Sequence, residues 1–500
     1  MNESEVIARL RPHQPGPVKH LLGLFGSGVQ SAVDLSWTGT GKTYVAAATL
    51  SLLKTPTLVV APKIARTAWE RAAAHFEDRF SVVGYELLRA GQTPFGKWDN
   101  NQRVADEFFK CVNCQLKVDL DKFQPCYAHP QGIHCIETKK KPIRRGKFNF
   151  HPAVKTVVFD EGHRCGAIDS LNADMMIAAK QQGKRILTLS ATPACSPLGM
   201  RALGYLLGLH NLNADLLEVA KIGQRLRLPS FRRWAYSQGC VMDARFHGWK
   251  WMAGRERQLE VMRAIREQLI PAKGVCVTTD DIPGFPACDI SAELYDLDDP
   301  AAIDGCYQEM AEAVAMIHSR AAFDKNLEHP LTKMLRGRQT VEVLKVPLAT
   351  ELAEDYLAAG NSVVFFVNFT QTIDELKKRF PEAGVIDGTT PGRDETVERF
   401  QVNELRALIV NNEAGKESMS LHDLQGGHPR VGLVFPCFSA TTMQQVFGRL
   451  PRDGGKTPCF YRVLFANKTL EVPIQRALEA KRGNMRALVD EDLTPDGKKW

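Results

Sequence analysis

Asp34-Leu35-Ser36-Trp37-Thr38-Gly39-Thr40-Gly41-Lys42-Thr43 runs without a break into the helix-forming stretch Tyr44-Val45-Ala46-Ala47-Ala48. Two glycines one residue apart, followed by Lys-Thr and a helix, read as a phosphate cradle. Gly39 and Gly41 let backbone N–H groups curl around a polyphosphate, and the helix that follows turns its positive end toward it. Thr38 to Thr43 would form the wall of that cradle. Lys42 would reach the β/γ-phosphates, and the Thr43 hydroxyl would hold Mg²⁺. Ser36 stands where such loops usually carry their first glycine, so the match is to the small-x-x-Gly-x-Gly-Lys-Thr form.

Outward from this loop the chain alternates short apolar runs with helix-like stretches. Thr57-Leu58-Val59-Val60-Ala61-Pro62-Lys63 is a buried-strand pattern stopped by a proline; Ala65–Phe76 reads as a helix and Ser81–Tyr85 as a strand. The pattern resumes at Thr156-Val157-Val158-Phe159-Asp160-Glu161-Gly162-His163 and at Ile186-Leu187-Thr188-Leu189-Ser190-Ala191-Thr192-Pro193. A second series follows, with strands at Ser362–Val367, Val385–Asp387, Ala407–Val410 and Val431–Phe435 and helices at Thr372–Phe380 and Arg393–Phe400. This alternation predicts an α/β fold of doubly wound parallel sheets. The expected division is a first lobe over 1–205, an insert within it over 91–150, a helical basic-aromatic linker over 206–285 and a second lobe over 286–500. The second lobe carries a helical insert near 297–358.

At 500 residues, 44% hydrophobic and 24% charged, the chain has the balance of a globular protein with room for several domains. A formal charge of +7 permits a polyanionic partner where the basic residues cluster. No apolar run reaches membrane-spanning length, and Met1–Glu5 lacks a signal-peptide pattern, so no membrane partner is expected. Four of the 12 cysteines fall between Cys111 and Cys135, which favours one metal cluster in a reducing compartment over a disulfide framework. Cys111, Cys114, Cys126 and His129 have the spacing of a zinc knuckle, with His134 and Cys135 competing for the fourth position. The run Lys139-Lys140-Lys141-Pro142-Ile143-Arg144-Arg145-Gly146-Lys147 beside it is a candidate for phosphate contacts. Between Arg225 and Arg257, arginines interleave with Phe231, Trp234, Tyr236, Phe246, Trp249 and Trp251. Either these offer charge and flat faces to nucleic acid, or the aromatics are core and the arginines cover them.

Chemistry-bearing residues surround the loop reading. Gln14, in Leu10-Arg11-Pro12-His13-Gln14, has a side-chain amide with both a donor and an acceptor, which suits reading adenine. Asp160 and Glu161 sit at the carboxyl tip of a buried strand, where α/β proteins bind ligands. Asp160 would hold Mg²⁺ and Glu161 would orient or deprotonate a water. In the second series, Gln445-Val446-Phe447-Gly448-Arg449-Leu450-Pro451-Arg452 reads as a helix bearing paired arginines. A phosphate loop in one lobe and paired arginines in the next predict an ATPase whose hydrolysis is gated by lobe closure.

In these motifs, taken in order, the chain resembles the superfamily 2 helicase-like ATPases. They are Gln14, Thr38–Thr43, Pro62-Lys63, Asp160-Glu161-Gly162-His163, Ser190-Ala191-Thr192 and Gln445-x-x-Gly448-Arg449-x-x-Arg452. The stretches Val275–Pro286, Arg336–Lys345 and Gly448–Lys456 are similar to Swi/Snf-type translocases of the HepA-related group. Ser418–Asp423 resembles strawberry-notch-type helicases. Gly162 departs from the usual alanine, and Lys416 sits where a second glycine is common. The resemblance implies two RecA-like lobes, ATP and Mg²⁺ as cofactors beside a structural Zn²⁺, and Arg449 and Arg452 as arginine fingers. It also implies that Gln445 completes the catalytic set, and that Pro62, Lys63, His163, Ser190 and Thr192 contact or couple to nucleic acid. The expected activity is that of a nucleic-acid-dependent ATPase acting as a DNA translocase or helicase largely indifferent to base sequence. The expected setting is cytoplasmic or nucleoid-associated, with virus encoding left open.

Three other readings remain at this level: an RNA helicase, an ATP-switched clamp that does not turn over, and a nuclease with an HNH-type set from His129, His134, Asn149 and His151. Intact Lys42, Glu161, Arg449 and Arg452 weigh against the clamp.

Overall fold

The computed structural model describes residues 1–91, 93–99, 105–111, 117–118, 136–142, 146–168, 170–212, 228–243, 248–292, 294–297, 299–318, 330–388, 390, 392–412, 419–437, 439–472 and 474–476. They build two parallel sheets of six strands each. The first comprises β1 (Ser31–Asp34), β2 (Thr57–Ala61), β3 (Ser81–Gly84), β4 (Thr156–Asp160), β5 (Arg185–Leu189) and β6 (Gly274–Val275), in the spatial order β6-β1-β5-β4-β2-β3. The second comprises β7 (Cys288–Ser291), β8 (Ser362–Val367), β9 (Gly384–Ile386), β10 (Ala407–Asn411), β11 (Arg430–Val434) and β12 (Cys459–Val463), in the order β7-β12-β11-β8-β10-β9.

The sequence pattern follows from two-sided burial. β1, β4, β8 and β11 are buried at every position, so their strands read as continuous apolar runs rather than alternating ones. Successive residues serve opposite faces. Val158, Leu187 and Leu189 pack with Val45–Ala48 of helix α1 (Lys42–Leu53) and with Trp69 and Ala72 of α2 (Arg66–His75). Val157, Phe159 and Ile186 pack on the other face with Met175 and Met176. In the second sheet Val364 and Phe366 face one core while Val363, Phe365 and Val367 face the other. Helices α3 (Arg393–Gln401) and α4 (Ala440–Phe447) accompany this sheet. No helix among the described residues is long and apolar enough to cross a membrane.

Three regions differ from the sequence expectation or sharpen it. The 206–285 stretch is not only a linker: its last part, β6, adds an edge strand to the first sheet by pairing with Val33 and Asp34. The aromatics of this stretch are core rather than stacking platforms. Phe231 and Trp234 are buried, and Trp249 and Trp251 pack against them from the hairpin of Cys240–Asp243 with Gly248–Trp251. Burying such rings outweighs displaying them to solvent. Arg225, Arg227, Arg245 and Phe246 lie outside the described residues.

The 91–150 insert contains antiparallel pairs, Ala105–Cys111 with Ile136–Pro142 and Gly96–Asp99 with Lys147–Phe150. In that register Lys141 pairs with Asp106 and Lys140 with Glu107 along the backbone ladder. Of the proposed zinc ligands, Cys111 ends a strand, while Cys114, Cys126 and His129 lie outside the described residues, as do His134 and Cys135. In the 297–358 region, Pro300–His318 and Pro330–Leu344 share a small core through Ile303 and Val341. Val346–Ala358 instead packs on the second sheet itself.

Candidate active site at the seam of the two sheets

The loop leaves β1 at Asp34 and turns through Gly39 and Gly41 with φ of +88° and +87°, a region that favours glycine. A Cβ on Gly41 would fall 2.3 Å from Gln14 Nε2, and one on Gly39 would fall 3.0 Å from Arg452 Cδ of the second lobe. Lys42 Nζ donates to the carbonyls of Ser36 and Trp37 at 2.8 and 2.9 Å. Burial pushes its pKa down, opposed by Asp34 and Glu161. Thr40 Oγ1 donates to the Trp37 carbonyl at 2.8 Å. Gln14 is buried against the loop. Its Oε1 accepts from the Arg11 N–H at 3.0 Å, and its Nε2 lies 3.5 Å from the Thr40 carbonyl.

Ser36, the departure at the loop's first position, has a role that glycine could not fill. Its hydroxyl accepts the Val277 N–H at 2.8 Å, while Trp37 N–H donates to the Val277 carbonyl at 2.9 Å. The segment that leads from β6 toward the second sheet is thereby stitched to the phosphate loop.

Asp160 closes β4 beside this loop. Its Oδ2 accepts from Trp69 Nε1 at 2.8 Å, and its Oδ1 accepts from the Glu161 N–H at 3.0 Å. Tyr85 donates its hydroxyl to the Asp160 carbonyl at 2.7 Å. Burial, then the neighbouring Glu161 charge, holds the Asp160 carboxyl above the usual range. Burial also raises Glu161, but His163, Lys42 and Arg449 together outweigh it and hold Glu161 low. Adjacent carboxyls driven apart in this way suit different tasks. Glu161 has φ +52°, a strained backbone for a non-glycine residue that aims its carboxylate into the seam. Gly162 replaces alanine for a steric reason: a Cβ there would meet Thr188 Cγ2 at 2.2 Å.

His163 gathers the motifs. Its Nδ1 lies 3.4 Å from Glu161 Oε2, 3.4 Å from Ser190 Oγ and 3.3 Å from Thr192 Oγ1. Its Nε2 lies 3.2 Å from Gln445 Nε2 across the seam. Pro62 and Lys63 sit apart from this cluster, at the carboxyl end of β2. Buried Pro62 precedes a single 3₁₀ turn that leaves Lys63 exposed.

The second lobe closes the site. α4 ends at Phe447, so Gln445 is helical while Arg449 and Arg452 lie beyond the helix; the expected arginine-bearing helix is corrected to a helix and an irregular turn. Arg449 Nη1 and Arg452 Nη2 both donate to the Met419 carbonyl at 3.1 Å. Burial, with Arg452 adding to it, pushes Arg449 down to about 9. The Nε atoms of both arginines are buried without a hydrogen-bond partner. Thr38 packs so closely on Gly448 that a Cβ there would fall 2.0 Å from Thr38 Oγ1. Arg11 forms an ion pair with Asp453 across the seam.

These residues fit a nucleoside triphosphate. Two guanidiniums crowded on one carbonyl with unpaired Nε atoms, and a lysine bonded only to loop carbonyls, form a donor set that lacks an anion. Next to them is a cavity of ≈ 520 Å³ lined by Gln14, Gly39, Gly41, Thr43, Tyr44 and Arg452. That is the size of a small-molecule site.

Residues 7–195 match the family model described as "Type III restriction enzyme, res subunit". The chain is 29% identical over 510 residues to a "Putative ATP-dependent RNA helicase" of Acanthamoeba polyphaga mimivirus, covering 99% of this chain and 86% of the relative. The chain is an ATP-hydrolysing enzyme similar to the superfamily 2 helicases. The ATPase is also 23% identical to the "DNA repair and recombination protein RAD54-like" of Danio rerio, over 83% of this chain and 59% of that protein. S. cerevisiae Dbp5 bound to RNA and ADP BeF3 aligns with 95% of the ATPase and 92% of its own chain, at TM-score 0.44 and 12% identity.

Several residues at the ATPase's site carry no sequence signal. Trp69 is an ordinary aromatic in a helix, yet its indole holds Asp160. Met419 acts through its carbonyl, which any residue could supply. The Arg11–Asp453 pair joins residues 442 positions apart, beyond any local pattern.

Proposed function

We propose that the ATPase is a motor that couples ATP hydrolysis at the seam to movement along a nucleic-acid backbone. The observation that carries this reading is the seam itself, where Arg452 lies against Gly39 and Gly448 against Thr38, so hydrolytic residues from both lobes meet only when the lobes close. Bound MgATP supplies the phosphoanhydride whose cleavage drives the cycle. Gly39, Thr40, Gly41 and Lys42 cradle its phosphates, with Thr38 at the seam, and Gln14 stands at the base end. Thr43 and Asp160 hold Mg²⁺, and Glu161, kept ionised by its surroundings, takes a proton from the attacking water. Arg449 and Arg452 neutralise charge that develops during cleavage. Through Gln445 and His163, closure reaches buried Ser190 and Thr192, which couple it to the nucleic acid that exposed Lys63, after buried Pro62, meets.

DNA is the substrate we favour, on the Swi/Snf-like run from Gly448 to Lys456, with translocation along duplex ahead of strand separation. The name carried by the mimivirus relative favours RNA as the second reading, and that relative is in keeping with a viral origin. Hydrolysis should rise with blunt duplex DNA, be indifferent to base sequence and fall steeply with salt, because backbone contacts release counterions. A triplex-displacement assay on blunt duplex checks movement. Stimulation by RNA alone, with no displacement on DNA, would establish the RNA reading instead.

A structural Zn²⁺ on Cys111, Cys114, Cys126 and His129 belongs to the same proposal. Four protein ligands leave no open position for a reacting water. Elemental analysis of protein purified without chelator should find about one zinc per chain, lost in the Cys111→Ser/Cys114→Ser variant while ATP binding persists. Metal-free protein would leave the cysteines as separate thiols.

A further inference from the structure

A second cavity, of ≈ 150 Å³, adjoins the nucleotide cavity. Its walls come from both lobes: Arg71 of α2 on one side, Arg393, Val397 and Gln401 of α3 on the other, with Met419 and Ser420 between them. Arg71 and Ser420 line both cavities, so the two spaces share a wall.

Each wall is one step from the hydrolytic centre. Arg71 follows by two residues Trp69, whose indole holds Asp160. Met419 is the residue whose carbonyl receives both Arg449 and Arg452. Arg393 is close enough to Arg449 for its charge to be felt there.

The chemistry of the space suits a small oxyanion. Arg71 has no hydrogen bond or ion pair among the described residues. α3 begins after Gly392, and Arg393, Val397 and Gln401 lie along the side of the helix that walls the space. Arg393 is half-buried at the first turn, where burial lowers its pKa. Asp394 and Glu398 also line the cavity and nearly balance the two arginines. Near-neutrality favours brief residence over tight capture.

We propose that this cavity binds the inorganic phosphate released by hydrolysis, before it departs between α2 and α3. The proposal rests on hydrolysis at the seam. Its test reads phosphate itself: equilibrium binding of inorganic phosphate to the full-length ADP-bound protein, beside chemical-quench measurement of ATP cleavage, both without nucleic acid. Arg393→Ala and Arg71→Ala should each weaken phosphate binding about tenfold, one charge-assisted contact. Arg393→Lys should keep most of the affinity, and Arg393→Ala should leave the cleavage step at the wild-type rate. Unchanged phosphate affinity in both alanine variants would overturn the assignment. So would displacement of phosphate by a single-stranded oligonucleotide, which would make the cavity a phosphodiester contact. Absence of cleavage by the wild-type protein, both alone and in a further quench arm with duplex DNA, would instead strike the hydrolysis reading.

Discussion

Lys42→Ala is expected to bind ATP roughly 10²–10³-fold more weakly than the wild-type protein, the consequence of leaving phosphate charge in a buried cradle without its counter-charge. The lysine is already largely desolvated, and its bonds to the Ser36 and Trp37 carbonyls are ones that phosphate oxygens can replace. The loop itself should survive the change. Its shape comes from Gly39, Gly41 and the Ser36–Val277 contact, none of which involves the lysine side chain. Titration with a fluorescent ATP analogue checks the affinity, and a circular dichroism spectrum matching wild type would show that lost binding is not lost folding. Near-normal affinity would mean that the phosphates lie elsewhere.

Glu161→Gln should leave ATP binding intact and lower turnover roughly 10²–10⁴-fold, the range removed with a general base. The amide is close in size, so the strained backbone at this position and the packing of Gly162 on Thr188 need not change. What disappears is an acceptor that His163, Lys42 and Arg449 hold ionised against the pull of burial. The variant should therefore accumulate uncleaved ATP, readable as retained ATP after rapid gel filtration and acid quench. Accumulation of ADP at the wild-type rate would remove Glu161 from the reaction and leave Asp160 as the only acid of the pair to consider.

The two sheets are legible because their strands are buried on both faces. Val157-Val158-Phe159 and Val363-Val364-Phe365-Phe366-Val367 cannot be solvent-facing helix surfaces at such length without polar relief. The loop is legible because a tight turn around phosphate restricts residue type at Gly39, Gly41 and Lys42. β6 escapes notice for the opposite reason: Gly274-Val275 is two residues long, and only its pairing with β1 defines it. Phe231 and Trp234 are ambiguous in sequence because core and stacking surfaces draw on the same rings, and only burial separates the two uses. The pairing of positions 140 and 141 with 107 and 106 joins residues more than thirty positions apart, which no local pattern shows. The seam is the least legible part. Motif order predicts that two lobes cooperate, but the contacts of Thr38 with Gly448 and of Arg11 with Asp453 depend on how the lobes meet.

That the hydrolytic centre needs both lobes is tested most directly by steady-state ATPase turnover of Arg452→Ala, measured beside its ATP affinity. Arg452 stands on the second lobe, reaches the Met419 carbonyl with Nη2, and lies over Gly39 with its Nε unpaired. Lys42 and the loop are untouched by its removal, so ATP should still bind to the first lobe. Turnover should fall by roughly 10³–10⁵-fold, the effect of losing an arginine finger. Full turnover in Arg452→Ala, with affinity unchanged, would contradict the account and place the chemistry within the first lobe alone.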